Sequence, residues 1–237
     1  MKRRTRGGVA MAGMAIVAVA AASSAMAATQ QTYSQKFTVT KAGSATGSLF
    51  SASARDPQAV NQQPSPARQV TLTFPSGTKV NTKAVPACSA SDTQLAQLGP
   101  AACPAKTKVG SGSGKVITPL VTLPLVDAKV TAFNRKGGMI LLVQPTVSNP
   151  VILRPTLAGG KLKISVPQVC LVGTGPDCGE AVLADFTLSL KKITSKKTGT
   201  YLTTPRKCPA GGWVFKSAFT FKDGTTQALE SKQACKK

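Results

Sequence analysis

Histidine is absent from the 237 residues. The usual general base is therefore missing, and with it every His-activated serine or cysteine nucleophile. Catalysis would have to run on carboxylates or on a Ser–Lys pair. The eight acids are Asp56, Asp92, Asp127, Asp177, Glu180, Asp185, Asp223 and Glu230. Asp177 and Glu180 flank Cys178 in a Gly/Pro-rich stretch, and two carboxylates about 5–10 Å apart across a cleft are the equipment of a carbohydrate hydrolase. An acid pair in a tight loop beside a cysteine is more commonly solvated charge. Ser76-Gly77-Thr78-Lys79 and Lys197-Thr198-Gly199 spell S-x-x-K and K-T-G. No S-x-N element accompanies them, and Ser76 follows Phe74-Pro75, a turn rather than the helix a Ser–Lys nucleophile needs. Gly110-Ser111-Gly112-Ser113-Gly114-Lys115 is one residue short of a phosphate-binding loop, with Val116 where Ser or Thr should stand. It is expected to be a bend between strands. No enzyme and no cofactor are expected.

The six cysteines have other work. They lack a C-x-x-C pair and histidine partners, which argues against a metal site. An even count in an exported chain reads as three disulfides. Six cysteines allow 15 pairings, and proximity along the chain selects Cys88–Cys103, Cys170–Cys178 and Cys208–Cys235. Closing 15, 8 and 27 residues would contribute roughly 3, 2.5 and 3.5 kcal/mol in the loop-entropy picture.

Basicity is the feature that exceeds the background. Beyond residue 27 the chain keeps 26 cations against eight acids, 21 of the cations being Lys. Lysine is a hydrated point charge, whereas arginine forks onto phosphate, so this composition suits diffuse attraction to a polyanion. Lys191, Lys192, Lys196 and Lys197 form the densest cluster and are the candidate electrostatic contact residues. Aromatics are 5% of the chain, and sequence-specific nucleic-acid binding is not expected.

The elements that must carry these residues read as strands. Arg68–Phe74, Lys161–Val166 and Val182–Lys192 alternate apolar with polar residues, the period of a sheet wetted on one side. Gln35–Thr40, Lys115–Thr118, Ala128–Phe133 and Met139–Gln144 are further strands, the last apolar throughout and hence central. Trp213, Phe215, Phe219 and Phe221 share one face of a strand that returns through Asp223-Gly224 into Thr226–Ser231. A two-residue loop there would make paired positions sum to 447, with Cys235 opposite Gly212. One short helix, Ser91–Leu98, is capped by Ser91 or Asp92 and stopped by Gly99-Pro100. Ser51–Ala67 reads as a long surface loop. The fold class is all-β, an antiparallel β-sandwich of which a jelly roll is one form.

Lys2, Arg3, Arg4 and Arg6, then apolar Val9–Ala22, then Ala25-Met26-Ala27 have the order of a secretory signal. Residues 1–27 are expected to be removed near Ala27, leaving 28–237 as a single β-sandwich domain without a membrane-spanning segment. Phe74-Pro75-Ser76-Gly77-Thr78-Lys79, Cys103-Pro104 and Cys208-Pro209-Ala210-Gly211-Gly212-Trp213 resemble a group of uncharacterised secreted β proteins of high-GC Gram-positive bacteria. The resemblance implies no activity. The expected role is a secreted or envelope-associated, non-enzymatic module whose partner is an anionic wall or extracellular polymer. The alternatives are a carbohydrate hydrolase using Asp177 or Glu180, or a secreted inhibitor or ligand carrier, marked by an exposed rigid loop or a closed apolar cavity. Oligomeric state is not legible.

Overall fold

A computed structural model describes residues 30–120 and 122–237; residues 1–27, expected from the sequence to be a secretory signal, lie outside the described residues. Twelve strands form one sheet: β1 (Gln30–Phe37), β2 (Ser48–Arg55), β3 (Ala67–Thr73), β4 (Lys108–Ile117), β5 (Leu125–Arg135), β6 (Gly138–Pro145), β7 (Val151–Leu153), β8 (Thr156–Ala158), β9 (Lys161–Ser165), β10 (Val182–Leu190), β11 (Trp213–Phe221) and β12 (Thr226–Gln233). Their order is β1-β2-β10-β4-β5-β6-β8-β9-β3-β11-β12, with β7 also on β6. Every pairing in this sheet is antiparallel. The two facing layers are opposite walls of this one sheet, which curls until β1 meets β12.

That meeting is made by side chains. The Gln35 N–H donates to Ser231 Oγ at 3.1 Å, and Ser231 Oγ donates to the Gln35 carbonyl at 2.9 Å. Two residues on, the Phe37 N–H donates to Gln233 Oε1 at 2.8 Å and Gln233 Nε2 donates to the Phe37 carbonyl at 2.9 Å. Each β12 side chain thus makes the donor–acceptor pair that a neighbouring backbone would make. Beyond the strands a backbone bridge takes over, parallel in sense, between Lys41 and Lys236.

The alternation predicted for β10 holds, with Val182, Ala184, Leu188 and Leu190 buried and Ser189 exposed. The apolar run of β6 is buried on both faces. Met139, Leu141 and Val143 join the barrel interior. Ile140 and Leu142 pack outward with Phe133, Leu95, Cys88 and Cys103. The outer layer is α1 (Asp92–Leu98), where Ser91 accepts from the Gln94 N–H and the Gln94 side chain returns the bond to Ser91, a capping box. The disulfides are Cys88–Cys103, Cys170–Cys178 and Cys208–Cys235.

Three local expectations change. Gly110–Gly114 is not a bend but the middle of β4. A methyl group on Gly110 or Gly112 would collide with the Ser189 or Thr187 carbonyl of β10, so glycine there permits close approach of two backbones. The first five residues of the expected loop Ser51–Ala67 and its last one are strand, since β2 runs to Arg55 and β3 begins at Ala67; the small residues Ser51, Ala52, Ser53 and Ala54 alternate too weakly in hydropathy to be recognised. In the β11–β12 hairpin, Trp213 pairs with Gln233 and Thr220 with Thr226, one residue off the expected register. The turn is Lys222–Gly224, with Gly224 at φ +81° and Asp223 Oδ1 accepting from the Thr225 N–H and Oγ1. Three-residue turns of this kind place a left-handed residue last. Cys235 therefore falls past Gly212, and the bend at Pro209–Gly212, closed by the Gly212 N–H donating to the Pro209 carbonyl, supplies the slack for Cys208–Cys235.

Candidate functional site

Strand direction sorts the charges. At one end of the barrel β1, β3 and β12 finish and β4, β9 and β11 begin. The segments there are 38–47, 74–87, 104–108, 135–137, 159–161, 191–212 and 234–237. Together they carry sixteen cations and no Asp or Glu. Toward the other end lie Asp56, Asp127, Asp177, Glu180, Asp185 and Asp223, six of the eight acids. The remaining two are paired on the walls, Asp92 with Arg154 and Glu230 with Lys216.

The basic end is woven from chain segments distant in sequence. Lys191 and Lys192 leave the end of β10, where the Lys191 N–H donates to the Val109 carbonyl. Lys196 and Lys197 occupy the tip of a small ribbon in which Thr194 pairs with Thr200 and Ser195 with Gly199. Ser195 Oγ accepts from the Lys197 and Thr198 N–H groups at 3.3 Å, and Gly199 takes φ +85° to complete the turn. Asn81 Nδ2 donates to the Thr198 carbonyl at 2.9 Å and Thr198 Oγ1 to the Ala84 carbonyl at 3.0 Å. These bonds bring Lys79 and Lys83 beside the ribbon. Thr204 Oγ1 donates to the Lys41 carbonyl at 2.8 Å. The Ala42 N–H donates to the Lys236 carbonyl, which adds Lys41, Arg206 and Lys236 to the same surface.

All sixteen cations are exposed except Arg135, which is half-buried. Among the described residues none of them is in an ion pair. The four lysines singled out by density are thus one part of a larger field. The others were missed because each stands alone in sequence; the available signal was the lack of acids in every segment that reaches this end.

The candidate acid pair is not arranged for hydrolysis. Asp177 is exposed on its loop, while Glu180 is 4% exposed. Glu180 Oε1 takes Arg68 at 2.6 Å and Lys222 at 3.0 Å. Burial works to raise this carboxyl, but the hydrogen bonds and charges of Arg68 and Lys222 outweigh it and hold it below the ordinary glutamate range. A carboxylate so held makes a poor general acid near neutrality. Ser76 sits in a turn closed by the Thr78 N–H on the Pro75 carbonyl, as expected. No group of three or more potential metal ligands occurs among the described residues.

No protein-family model matches this chain, and neither the curated proteins nor the solved structures contain a similar one. Among the described residues no helix is long and apolar enough to cross a membrane.

Proposed function

We propose that this protein is an exported, non-enzymatic binding module that attaches to an anionic wall or extracellular polymer through the basic end of its barrel. The observation that supports this reading is the sorting of charge: sixteen cations without one acid at one end, with most acids at the other. Charge kept only for solubility has no need of such a separation. Lysine supplies fourteen of the sixteen, which favours a mobile, irregular polyanion over a shaped phosphate pocket. Three disulfides suit an oxidising destination.

Retention on a sulfated-polysaccharide column tests the reading. Binding falls steeply between low and physiological salt, because each engaged cation releases a counterion. Replacing Lys191, Lys192, Lys196 and Lys197 by Gln lowers the slope of log affinity against log salt by about 3, at roughly 0.7–0.9 per cation. Replacing the wall residues Lys129 and Lys163 leaves the slope nearly unchanged. Salt-insensitive retention, or equal losses from both sets, overturns the assignment.

A further inference from the structure

The barrel is not filled. A cavity of about 160 Å³ lies between its walls, lined by apolar side chains including Phe50, Leu72, Leu141, Leu162, Ile164 and Phe186. Protein interiors are close-packed, and voids larger than a water molecule are few. An apolar cavity of about 150 Å³ stays dry and takes up small apolar molecules. The lining continues to Gln31, Ala54, Pro64, Pro66 and Pro167, which belong to the end of the barrel opposite the basic surface.

Two features of that end bear on an occupant. Gln31 points inward from β1, and its Oε1 is shut off from solvent without a hydrogen-bond partner among the described residues. Gln35, deeper on the same wall, differs, because its Oε1 accepts from Tyr33 Oη at 2.7 Å. A buried acceptor left open costs free energy unless something donates to it. The second feature is the loop surface at that end. Val60, Leu120, Leu123, Leu125, Val147 and Val172 are all exposed, and all lie in or beside the loops of this end. They account for six of the eight exposed large hydrophobic side chains among the described residues.

Charge also limits the choice. Arg68 is the only cation in the cavity lining, and it is already engaged by Glu180 at 2.6 Å. A carboxylate has no proton to give to Gln31 Oε1 and would leave that acceptor open. A neutral hydroxyl would meet nothing opposed and would donate to Gln31.

We propose that the barrel interior is a binding site for a neutral, chain-like apolar molecule carrying a hydroxyl group, with the hydroxyl on Gln31 Oε1 and the chain between the walls, entering from the end opposite the basic surface. This site is independent of the polyanion surface and stands or falls separately from it.

The test uses the full chain in 0.15 M salt and titration calorimetry with three ligands short enough for the cavity. These are 1-hexanol, pentyl methyl ether, which accepts but cannot donate, and hexanoate. Hexanol binds at least about fivefold tighter than the ether, the value of one net hydrogen bond of about 1 kcal/mol, and tighter than hexanoate. Gln31→Leu still binds the ether and equalises hexanol with it. Ala52→Leu, which fills space on the cavity wall, weakens all three while the far-ultraviolet spectrum is retained. Absence of hexanol binding, equal affinity of wild type for hexanol and ether, or undiminished binding in Ala52→Leu overturns the proposal. If Gln31→Leu does not fold, the wild-type ratio of hexanol to ether still decides it.

Discussion

Glu180 keeps a negative charge at 4% exposure because two cations converge on one of its oxygens. Its carboxyl is held below the ordinary range, so the stabilisation is complete above the unfolded-state pKa of about 4.3 and disappears as pH falls through the lower folded value. Glu180→Gln should cost about 1–3 kcal/mol at pH 7, since it removes charged hydrogen bonds from a buried site. The gap from wild type should stay constant down to about pH 4.5 and close only in stronger acid. Urea unfolding at a series of pH values measures it, and a gap that widens in acid would refute the account. Nothing at this position was legible beforehand. Glu180 read as one half of a loop pair with Asp177, because Arg68 and Lys222, its real partners, are 112 and 42 residues away in sequence.

Strands were the most legible level, for a physical reason. Where one face is wet and the other dry, as in β10 and β11, the alternation is written in residue types. It fails where composition is small and polar on both faces. Half of β2 reads as loop and the glycine run of β4 as a bend, since Ser, Ala and Gly announce neither face. The short helix was legible from its cap residues. The seam between β1 and β12 could not be foreseen, because it rests on Ser231 and Gln233 imitating a strand across a separation of 196 residues. Changing both to Ala removes four hydrogen bonds and should cost roughly 2–4 kcal/mol, at about 0.5–1.5 each with part recovered by water. The amide hydrogens of Gln35 and Phe37 should then exchange much faster with solvent, while those on the β4–β5 ladder keep pace with the global change alone. Unaltered exchange at Gln35 and Phe37 would show that water or backbone closes the seam instead.

At the scale of the molecule, the all-β class and the lysine-rich character are legible in the sequence, but the barrel's polarity is not. Charge sorting arises only when up-and-down strands deliver alternate connections to opposite ends. The covalent framework follows the same geometry. Cys170–Cys178 closes the acid-bearing loop, Cys88–Cys103 closes the segment that carries α1 and packs on β5 and β6, and Cys208–Cys235 ties the basic end to the residues just past β12. Reduction should lower thermal stability markedly. Cys208→Ser with Cys235→Ser should cost the most, at about 3.5 kcal/mol, and the eight-residue Cys170–Cys178 closure the least. Differential scanning calorimetry of the three paired variants ranks them, and a reversed order would assign the stabilisation to local packing.

The seam has a bearing on assembly. β1 gains its second neighbour only when β12 is laid beside it, so ring completion is the contact of greatest chain separation. A polypeptide emerging from one direction cannot finish this topology early. It remains incomplete, with one lateral backbone row unclaimed, until almost all of it has passed.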